Sequence, residues 1–279
     1  MKKISRRSFL AAAGLSVAAL ALTACGGSSA STASSVASSA ASSEAASTSA
    51  AAGELTTVEA GKLTMATNAA FPPYEMTTDA GEFEGIDIET AQAIADKLGL
   101  ELQIDDMDFD AALLSVQQGK ADIVMAGVTV TDERKAVMDF SDSYATGIQS
   151  IIVPEGSDIA SPDDLAGKKI GTQRGTTVYI YCSDDFGDDN VVAYDDGLTA
   201  VQALNNGQVD AVVIDNAPAQ EFIAANPGLK ILDTSYAEED YAIGMAKGSS
   251  LEDAVNAALK ELKADGTLQS IVDQYITAE

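Results

Sequence analysis

Histidine and tryptophan are absent from the 279-residue chain, and cysteine occurs only twice, at Cys25 and Cys182. Without histidine the chain cannot build a histidine-based catalytic triad, a histidine general base or most kinds of zinc site. A nucleophilic Cys182 would also need an activating partner, and no histidine exists to supply one. We therefore interpret Cys182 as a quiet, partly buried thiol, and we expect neither a metal nor a cofactor.

Basic residues are scarce, since 16 lysines and arginines stand against 43 acidic residues. Such a surface repels nucleic acid and anionic lipid, so neither is expected as a partner. Only four residues are arginine, and two of them, Arg6 and Arg7, belong to an N-terminal leader. Arg134 and Arg174 are therefore the two arginines that a mature protein would keep.

The N-terminal segment has the order of features that is typical of an export signal. Four basic residues within positions 2–7 precede an apolar stretch that is too short and too poor in large residues for a membrane-spanning helix. The following LTAC, residues 22–25, resembles a bacterial lipoprotein box. It predicts removal of residues 1–24 as a signal peptide and attachment of lipid, including palmitate, to Cys25. An ordinary signal peptide with a chance cysteine is the alternative, and SRRSFL leaves general or twin-arginine export open.

Residues 25–53 consist of Cys25 followed almost entirely by glycine, serine, alanine and threonine. This composition cannot bury enough apolar surface to offset the entropy of ordering, so it predicts a flexible tether. Residues 54–279 remain for the folded part, enough for one large or two modest domains. Without the leader, 12 basic residues face 43 acidic ones, a formal net charge of −31. Lipidation of Cys25 would leave Cys182 without a disulfide partner.

The folded part alternates short apolar runs with amphipathic stretches, a pattern typical of α/β architecture. The predicted strands are 62–67, 101–107, 121–127, 168–173 and 209–215. The predicted helices are 85–99, 109–119, 198–207 and 217–226, followed by one or two helices with a break at Gly266. A helical turn is also expected after Thr131, which is a plausible N-cap.

Two stretches repeat one plan of helix, glycine, aspartate and apolar strand. They are LLSVQQGKADIVMAG at 113–127 and AVQALNNGQVDAVVID at 200–215. This weak repeat predicts two lobes of similar design, although αβ units commonly share this pattern without a common origin. In open α/β sheets, ligands bind beyond the carboxyl ends of the strands. The candidate site residues therefore lie at 68–71, 127–134, 173–177 and 215.

Six segments occur in order along the chain: ATNAAFPPYEM (66–76), GIDIETAQAIADKLG (85–99), AGVTVTDERKAVMDFSDSY (126–144), GTQRGTTV (171–178), VDAVVID (209–215) and DGTLQSIVDQY (265–275). Together they resemble the family 3 extracellular solute-binding proteins, which are the amino-acid-binding components of ABC importers. The resemblance covers essentially all of 54–279 at family spacing. Because no single motif carries it alone, it is highly specific.

The resemblance implies an α/β, two-lobe fold of the type II periplasmic-binding-protein kind, in which two crossing strands join the lobes. Lobe 1 would comprise 54–149 plus 242–279, and lobe 2 would comprise 150–241. A ligand would be trapped between the lobes as they close. The family also implies a monomer outside the cytoplasm, at the cell surface or in the periplasm. It would touch the membrane only through its lipid and deliver its ligand to the transmembrane subunits of an ABC permease.

An amino acid ligand carries two charges that the site must match. Arg134 has the rigid fork that binds a carboxylate through two hydrogen bonds. The resemblance implies that Thr176 and, more weakly, Thr177 close on the same carboxylate. It assigns the ligand ammonium group to Asp215 and to the carbonyl of Ala126.

Four further residues complete the contacts that the resemblance implies. Gly127 lets backbone approach the ligand, and Thr129 adds a hydroxyl group. Phe71 and Phe109 would sandwich the side chain of the ligand. Each position lies at or near the end of a predicted strand or the start of a helix, where ligand contacts are expected.

Selectivity is expected to depend on Asn68 and Gln173. Asn68 occupies a position that is often acidic in family members that bind basic or amide side chains. Both residues are neutral, which weakens the case for lysine, arginine or ornithine. We therefore expect a polar, uncharged or sulfur-containing amino acid as the ligand.

Several of these residues have simpler explanations that stay open at this point. They are an ion pair of Arg134 with Asp132 or Glu133, a pure capping role for Asp215, a core-only Phe109, a rigid turn at residues 71–73 with Phe71 incidental, and a surface or a pocket position for Arg174.

Three classes of function fit the resemblance. The leading one is a lipid-anchored binding protein without enzymatic activity. The second is a ligand-sensing module, which would need a partner because no transmembrane helix or signalling domain follows. The third is a dehydratase of prephenate or arogenate, which needs an acid/base group in the cleft. Glu75 is the visible candidate for that group, and it is more simply explained as a surface or lobe-contact residue.

Overall fold

A computed structural model of the protein describes residues 55–276. The predicted signal peptide, the lipidation site Cys25 and the tether lie outside the described residues. Fourteen strands form within this range: β1 Lys62–Thr67, β2 Ala70–Phe71, β3 Glu75–Thr77, β4 Phe83–Glu84, β5 Glu101–Asp106, β6 Ile123–Val124, β7 Met138–Phe140, β8 Ala145–Pro154, β9 Ile170–Gln173, β10 Val191–Tyr194, β11 Ala211–Asp215, β12 Leu229–Ile231, β13 Ala237–Tyr241 and β14 Gly244–Ala246.

The same range forms eight α-helices: α1 Ile86–Leu98, α2 Phe109–Gln117, α3 Asp132–Val137, α4 Thr177–Phe186, α5 Gly197–Asn205, α6 Asn216–Ala225, α7 Glu252–Ala264 and α8 Thr267–Tyr275. Two short 3-10 helices cover Pro162–Leu165 and Asp188–Asn190. No helix in this part of the chain is long and apolar enough to cross a lipid bilayer.

The first sheet has the strand order β5-β1-β6-β14-β7. Strand β1 is parallel to both of its neighbours, and β14 is antiparallel to both of its own. Leu63 and Met65 of β1 pack into the core beneath α1, α7 and α8, whereas Ala66 packs against Phe109 and Val116 of α2. Because helices cover both faces, β1 is buried along nearly its whole length.

The second sheet has the strand order β10-β9-β11-β8-β12, and β13 also pairs with β8. Ile151 and Val213 face a core that includes Cys182 of α4, and their neighbours Ile152 and Val212 face the core beneath α5 and α6. The predicted α/β class is therefore confirmed. Cys182 is fully buried rather than partly buried, and burial raises the pKa of its thiol to about 12.

The chain passes twice between the two sheets. Strand β7 belongs to the first sheet and β8 to the second, and the return runs from β13 to β14. Strands β8 and β13 are paired antiparallel from Ala145 to Gln149 and from Ala237 to Tyr241. The exact boundaries of the lobes, at 149/150 and 241/242, stay predictions.

Most predicted elements agree with the structure within two or three residues, and the strand at 121–127 is the clearest difference. Only Ile123–Val124 forms ladder pairs, with β1 on one side and β14 on the other. The prediction was too long because the residues that follow leave the sheet towards the cavity, and Gly127 there adopts a left-handed φ of 55°. The predicted break at Gly266 separates α7 from α8.

Candidate ligand-binding site

A cavity lies where the carboxyl ends of β1, β6, β9 and β11 converge. It contains about 460 Å³ of empty volume, part of it open to solvent. All eleven predicted ligand-binding residues line it: Asn68, Phe71, Phe109, Ala126, Gly127, Thr129, Arg134, Gln173, Thr176, Thr177 and Asp215. The structure thus brings them together, and which of them touch a ligand stays a prediction.

Arg134 is held at the start of α3, where the Thr131 hydroxyl accepts a hydrogen bond from the Arg134 N–H at 3.1 Å. Its guanidinium donates to the carbonyl of Thr129 at 2.8 Å and to that of Gly175 at 3.2 Å. It also lies 5.4 Å from the ring centroid of Phe109. An arginine has five N–H donors, so several remain for an anion. Burial lowers its pKa, while the negative charge of Glu239 raises it.

The alternative of an ion pair at the helix start is wrong. Within residues 55–276, Arg134 forms no ion pair with Asp132, Glu133 or any other carboxylate. Arg174, in contrast, is half-exposed, pairs with Asp195 at 3.3 Å and does not line the cavity. The two arginines that the sequence singles out therefore occupy very different environments.

Two glycines allow close approach around Arg134. A Cβ atom on Gly127 would lie 3.0 Å from Cε1 of Phe71, and the left-handed φ of 55° also disfavours a side chain. At Gly175, with φ of 74°, a Cβ atom would lie 1.5 Å from Oδ1 of Asp110, which belongs to α2. The loop before α4 thus packs directly on α2, a helix that covers the first sheet.

The N-terminus of α4 faces the cavity. Thr176 is its N-cap, because the Thr176 hydroxyl accepts from the N–H of Tyr179 at 3.3 Å and donates to the carbonyl of Gln173 at 2.7 Å. The hydroxyl proton of Thr176 is therefore already used. The backbone N–H groups of Thr177 and Val178, which also line the cavity, belong to the first turn of a helix, where anions are favoured.

Glu239 is a residue that the sequence reasoning missed. One of its carboxylate oxygens, Oε2, accepts hydrogen bonds from the hydroxyls of Thr129 at 3.0 Å and Thr177 at 2.9 Å. It also accepts from the amide of Gln149 at 2.9 Å. Both hydroxyls are thus oriented by one buried acid. A signal existed in AEEDY, where Glu239 alternates with Ala237 and Tyr241 on the inward face of β13.

Asp215 ends β11 and caps α6, so it has the capping role, and its contact with a ligand stays a prediction. Its Oδ1 accepts from the N–H of Ala217 at 3.0 Å. Its Oδ2 accepts from the N–H of Ile148 at 2.9 Å and from the hydroxyl of Tyr241 at 3.1 Å. Burial raises the pKa of Asp215 to about 6, and these hydrogen bonds oppose that rise. A carboxylate has about four acceptor sites, which leaves room for one more donor.

The two phenylalanines enter the cavity from different elements. Phe71 belongs to β2 and stacks on Tyr74 with ring centroids 5.7 Å apart. Phe109 begins α2, is 5 % exposed and contributes to the core around Val116, yet it also lines the cavity. Phe109 therefore combines a core position with a cavity position, and a purely internal location is wrong.

Asn68 and Gln173 form a neutral pair that links the two sheets. The amide of Gln173 donates to the side-chain oxygen of Asn68 at 2.8 Å, and it also reaches the carbonyl of Asp195 at 3.2 Å. Asn68 in turn donates to the carbonyl of Met107 at 3.0 Å. Their hydrogen-bonding groups are thus fixed by the protein.

The interpretation of Glu75 as a surface residue is wrong, whereas its contact between lobes stays a prediction. Its side chain is 0 % exposed and lines the cavity. The remaining lining residues that sequence reasoning missed are Gln149, Val178, Val213, Ile214 and Tyr241. Glu75 was misread because β3 is only three residues long, so no periodic pattern marks its inward face.

Comparison with known proteins assigns the family. The sequence model of the bacterial extracellular solute-binding proteins, family 3, matches residues 63–278, and the chain belongs to this family. The L-cystine-binding protein TcyJ of Escherichia coli (strain K12) is 32% identical over 226 residues, which cover 79% of this chain and 85% of the relative. The arginine-binding extracellular protein ArtP of Bacillus subtilis (strain 168) is 33% identical over 78% of this chain and 87% of its own.

Solved structures agree with that assignment. The arginine-, lysine-, histidine-binding protein ArtJ from Geobacillus stearothermophilus superposes with a TM-score of 0.75 and 33% sequence identity. The match covers 78% of this chain and 96% of that protein. The fold is therefore the type II periplasmic-binding-protein fold that the sequence predicted.

Proposed function

We propose that the protein captures an L-amino acid in this cavity and delivers it to the membrane subunits of an ABC importer. The observation that carries the proposal is the placement of two opposite charges. The Arg134 guanidinium and the Asp215 carboxylate line one cavity, and in the described part of the chain they form no ion pair with each other. A zwitterion would satisfy both charges.

The carboxylate of the ligand belongs beside Arg134. The guanidinium is fixed by the carbonyls of Thr129 and Gly175 and keeps free donors. The first turn of α4 supplies further N–H groups and the positive end of the helix dipole. Because the hydroxyl protons of Thr176 and Thr177 are used within the protein, the backbone of this turn is the better donor to the carboxylate.

The ammonium group of the ligand belongs beside Asp215, which has one acceptor site left. Ala126 lines the same cavity, and its carbonyl is proposed to accept a second hydrogen bond. The hydroxyl oxygens of Thr129 and Thr177 can also accept, since their protons point to Glu239. An ammonium ion has three donors, so these four acceptors are enough to bind it.

We propose a polar, uncharged or sulfur-containing side chain for the ligand. Phe71 and Phe109 would contact its apolar part, and the amides of Asn68 and Gln173 offer neutral polar groups. An unpaired cationic side chain would be costly to bury against them. Among the relatives, TcyJ is named for L-cystine, whereas ArtP is named for arginine, so the family does not decide the ligand.

Capture is proposed to close two lobes, 54–149 plus 242–279 and 150–241, about the paired strands β8 and β13. Contacts between Arg134 and Gly175 and between Asn68 and Gln173 connect the two sheets across the cavity. The protein is further proposed to be a monomer outside the cytoplasm, attached to the membrane by lipid on Cys25. The lipoprotein box and the serine- and alanine-rich tether support that placement.

A thermal-shift screen tests the proposal. The purified protein, freed of bound ligand by unfolding and refolding, would be screened against the twenty amino acids plus cystine, ornithine and citrulline. A ligand that binds the native state raises its stability by RT ln(1 + [L]/Kd). We expect a large rise in Tm with one or a few uncharged amino acids. A flat screen of a well-folded protein would contradict amino acid capture, and prephenate would then be tested for the dehydratase alternative.

A further inference from the structure

Two buried carboxyl groups belong to Glu75, which lines the cavity, and to Asp87, which accepts from the N–H of the lining residue Gly127, and within residues 55–276 neither forms an ion pair. Glu75 belongs to β3 and Asp87 to α1, and both side chains are 0 % exposed. Oδ2 of Asp87 accepts from the N–H of Gly127 at 3.1 Å and from the hydroxyl of Tyr144 at 2.7 Å. In residues 55–276, no donor reaches Oδ1 of Asp87 or either oxygen of Glu75.

The ionisable neighbours of this pair offer no positive charge. The groups that act on Glu75 and Asp87 are the tyrosines Tyr74 and Tyr144 and the acids Asp106 and Asp215. Two ionised carboxylates cannot be buried side by side without a cation, so one of them must hold a proton. Burial, reinforced by the charge of Asp87, raises the pKa of Glu75 well above its usual range. Burial raises the pKa of Asp87 only to about 6, because Tyr144 and Gly127 donate to it.

We propose that Glu75 carries a proton in the folded protein at neutral pH and donates it to Asp87, and that this shared proton positions Gly127 in the cavity wall. A protonated Glu75 supplies the donor that Oδ1 of Asp87 lacks, so one hydrogen bond gives a partner to two of the three otherwise unpartnered oxygens. Glu75 is thus a positioning residue that acts through Asp87. The assignment of a ligand role to Gly127 rests on the proposed function, whereas the proton on Glu75 does not.

The proton has two consequences. A neutral Glu75 adds no negative charge to the cavity wall, which agrees with an uncharged ligand side chain. It also links stability to pH. Because the folded-state pKa of Glu75 lies above its unfolded value of about 4.5, this contribution is complete below that pH and is lost as pH rises through the folded-state pKa.

The test compares Glu75→Gln with the wild type and with Glu84→Gln, a control that removes one charge from an exposed position on β4. Glutamine keeps an N–H donor for Asp87 and cannot ionise. Infrared spectra at pH 7 should show the carbonyl band of a protonated carboxylic acid in the wild type and in Glu84→Gln, and a much weaker band in Glu75→Gln. The amide NMR signal of Gly127 should stay in place in Glu75→Gln.

Thermal unfolding without ligand gives the second readout. Between pH 5 and 9 the Tm of the wild type should fall relative to that of Glu75→Gln, and Glu84→Gln should follow the wild type. Absence of the carbonyl band, or a Glu75→Gln protein that fails to fold, would show that Glu75 needs its charge and would overturn the inference. Neither readout uses an amino acid, so failure of the proposed function would leave both results interpretable.

Discussion

Asp215 and Glu75 are two buried acids beside one cavity, and the protein treats them differently. Asp215 stands at a strand end and helix start, where three donors reach it, so it can keep a negative charge near neutral pH. Glu75 has no donor in the described chain and only a second acid to bond with. The comparison teaches that local N–H and O–H groups, more than residue type, decide which acid is available as a charge for a ligand.

Arg134→Ala removes the positive charge that, together with the negative charge of Asp215, is proposed to hold the ligand, and it should have the largest effect on ligand affinity. Removing one partner of a buried charge pair costs about 2–5 kcal/mol, or roughly thirty-fold to several thousand-fold in affinity. Isothermal titration with the amino acid from the screen would measure this loss. Arg174→Ala, which removes an exposed arginine, is the matched control and should bind normally. Equal affinities of wild type and Arg134→Ala would refute the carboxylate assignment.

Asp215→Asn should have the next largest effect. It removes the charge that the ligand ammonium group would meet and converts an acceptor into a donor near that group. Hydrogen bonds to charged groups contribute about 1.5–3 kcal/mol, so roughly a ten- to hundred-fold loss in affinity is expected. Asp233→Asn, in the segment between β12 and β13 and away from the cavity lining, is the control. A preserved affinity in Asp215→Asn would show that the ammonium group lies elsewhere.

The pH dependence of binding follows from the same residue. The pKa of Asp215 is about 6 without ligand, and an ammonium group favours its ionised form. Affinity should therefore fall as pH is lowered through about 6, approaching roughly tenfold per pH unit. The stability of the ligand-free protein shows the opposite trend. Because the pKa of Asp215 is raised in the folded state, its contribution to stability is lost as pH rises from 3.8 to about 6. Titrations at several pH values should show that Asp215→Asn lacks this step.

Asn68→Asp sharpens the contrast between the charged and neutral ends of the cavity. The oxygen that accepts from Gln173 is kept, and a negative charge is added where the wild type has an amide. The affinity ratio of L-arginine to L-glutamine should rise by about tenfold, which corresponds to about 1.4 kcal/mol. Competition titrations would measure the ratio. No change in it would mean that Asn68 does not face the ligand side chain.

Glu239→Gln should have the smallest effect. A neutral amide binds the hydroxyls of Thr129 and Thr177 less strongly than a carboxylate, and about 0.5–1.5 kcal/mol is expected for a weakened hydrogen bond. That is roughly a two- to tenfold loss in affinity. Glu238→Gln changes the same charge at the exposed neighbour on β13 and serves as the control. If both variants bind alike, the orientation of the two hydroxyls is unimportant.

Much of the fold was predictable because its signals are local. The alternation of apolar and polar residues in β1, the glycine after α1 and the threonine before α3 are all signals carried by residues close together in sequence. The prediction failed for 121–127, since where a strand leaves its sheet depends on partners far along the chain. The eleven site residues were found because strand ends and helix starts mark them, with help from the family resemblance.

What the sequence by itself determined is the family, the α/β class and eleven of the residues at the cavity. Only the tertiary structure decided their protonation and hydrogen bonding. Glu239 and Glu75 are ordinary acids in the sequence. In the structure, β13 places Glu239 beside the hydroxyls of Thr129 and Thr177, and β3 places Glu75 beside Asp87. The reason is physical: the charge of a buried acid depends on the donors and the solvent around it, and neither is encoded within a few residues of the acid.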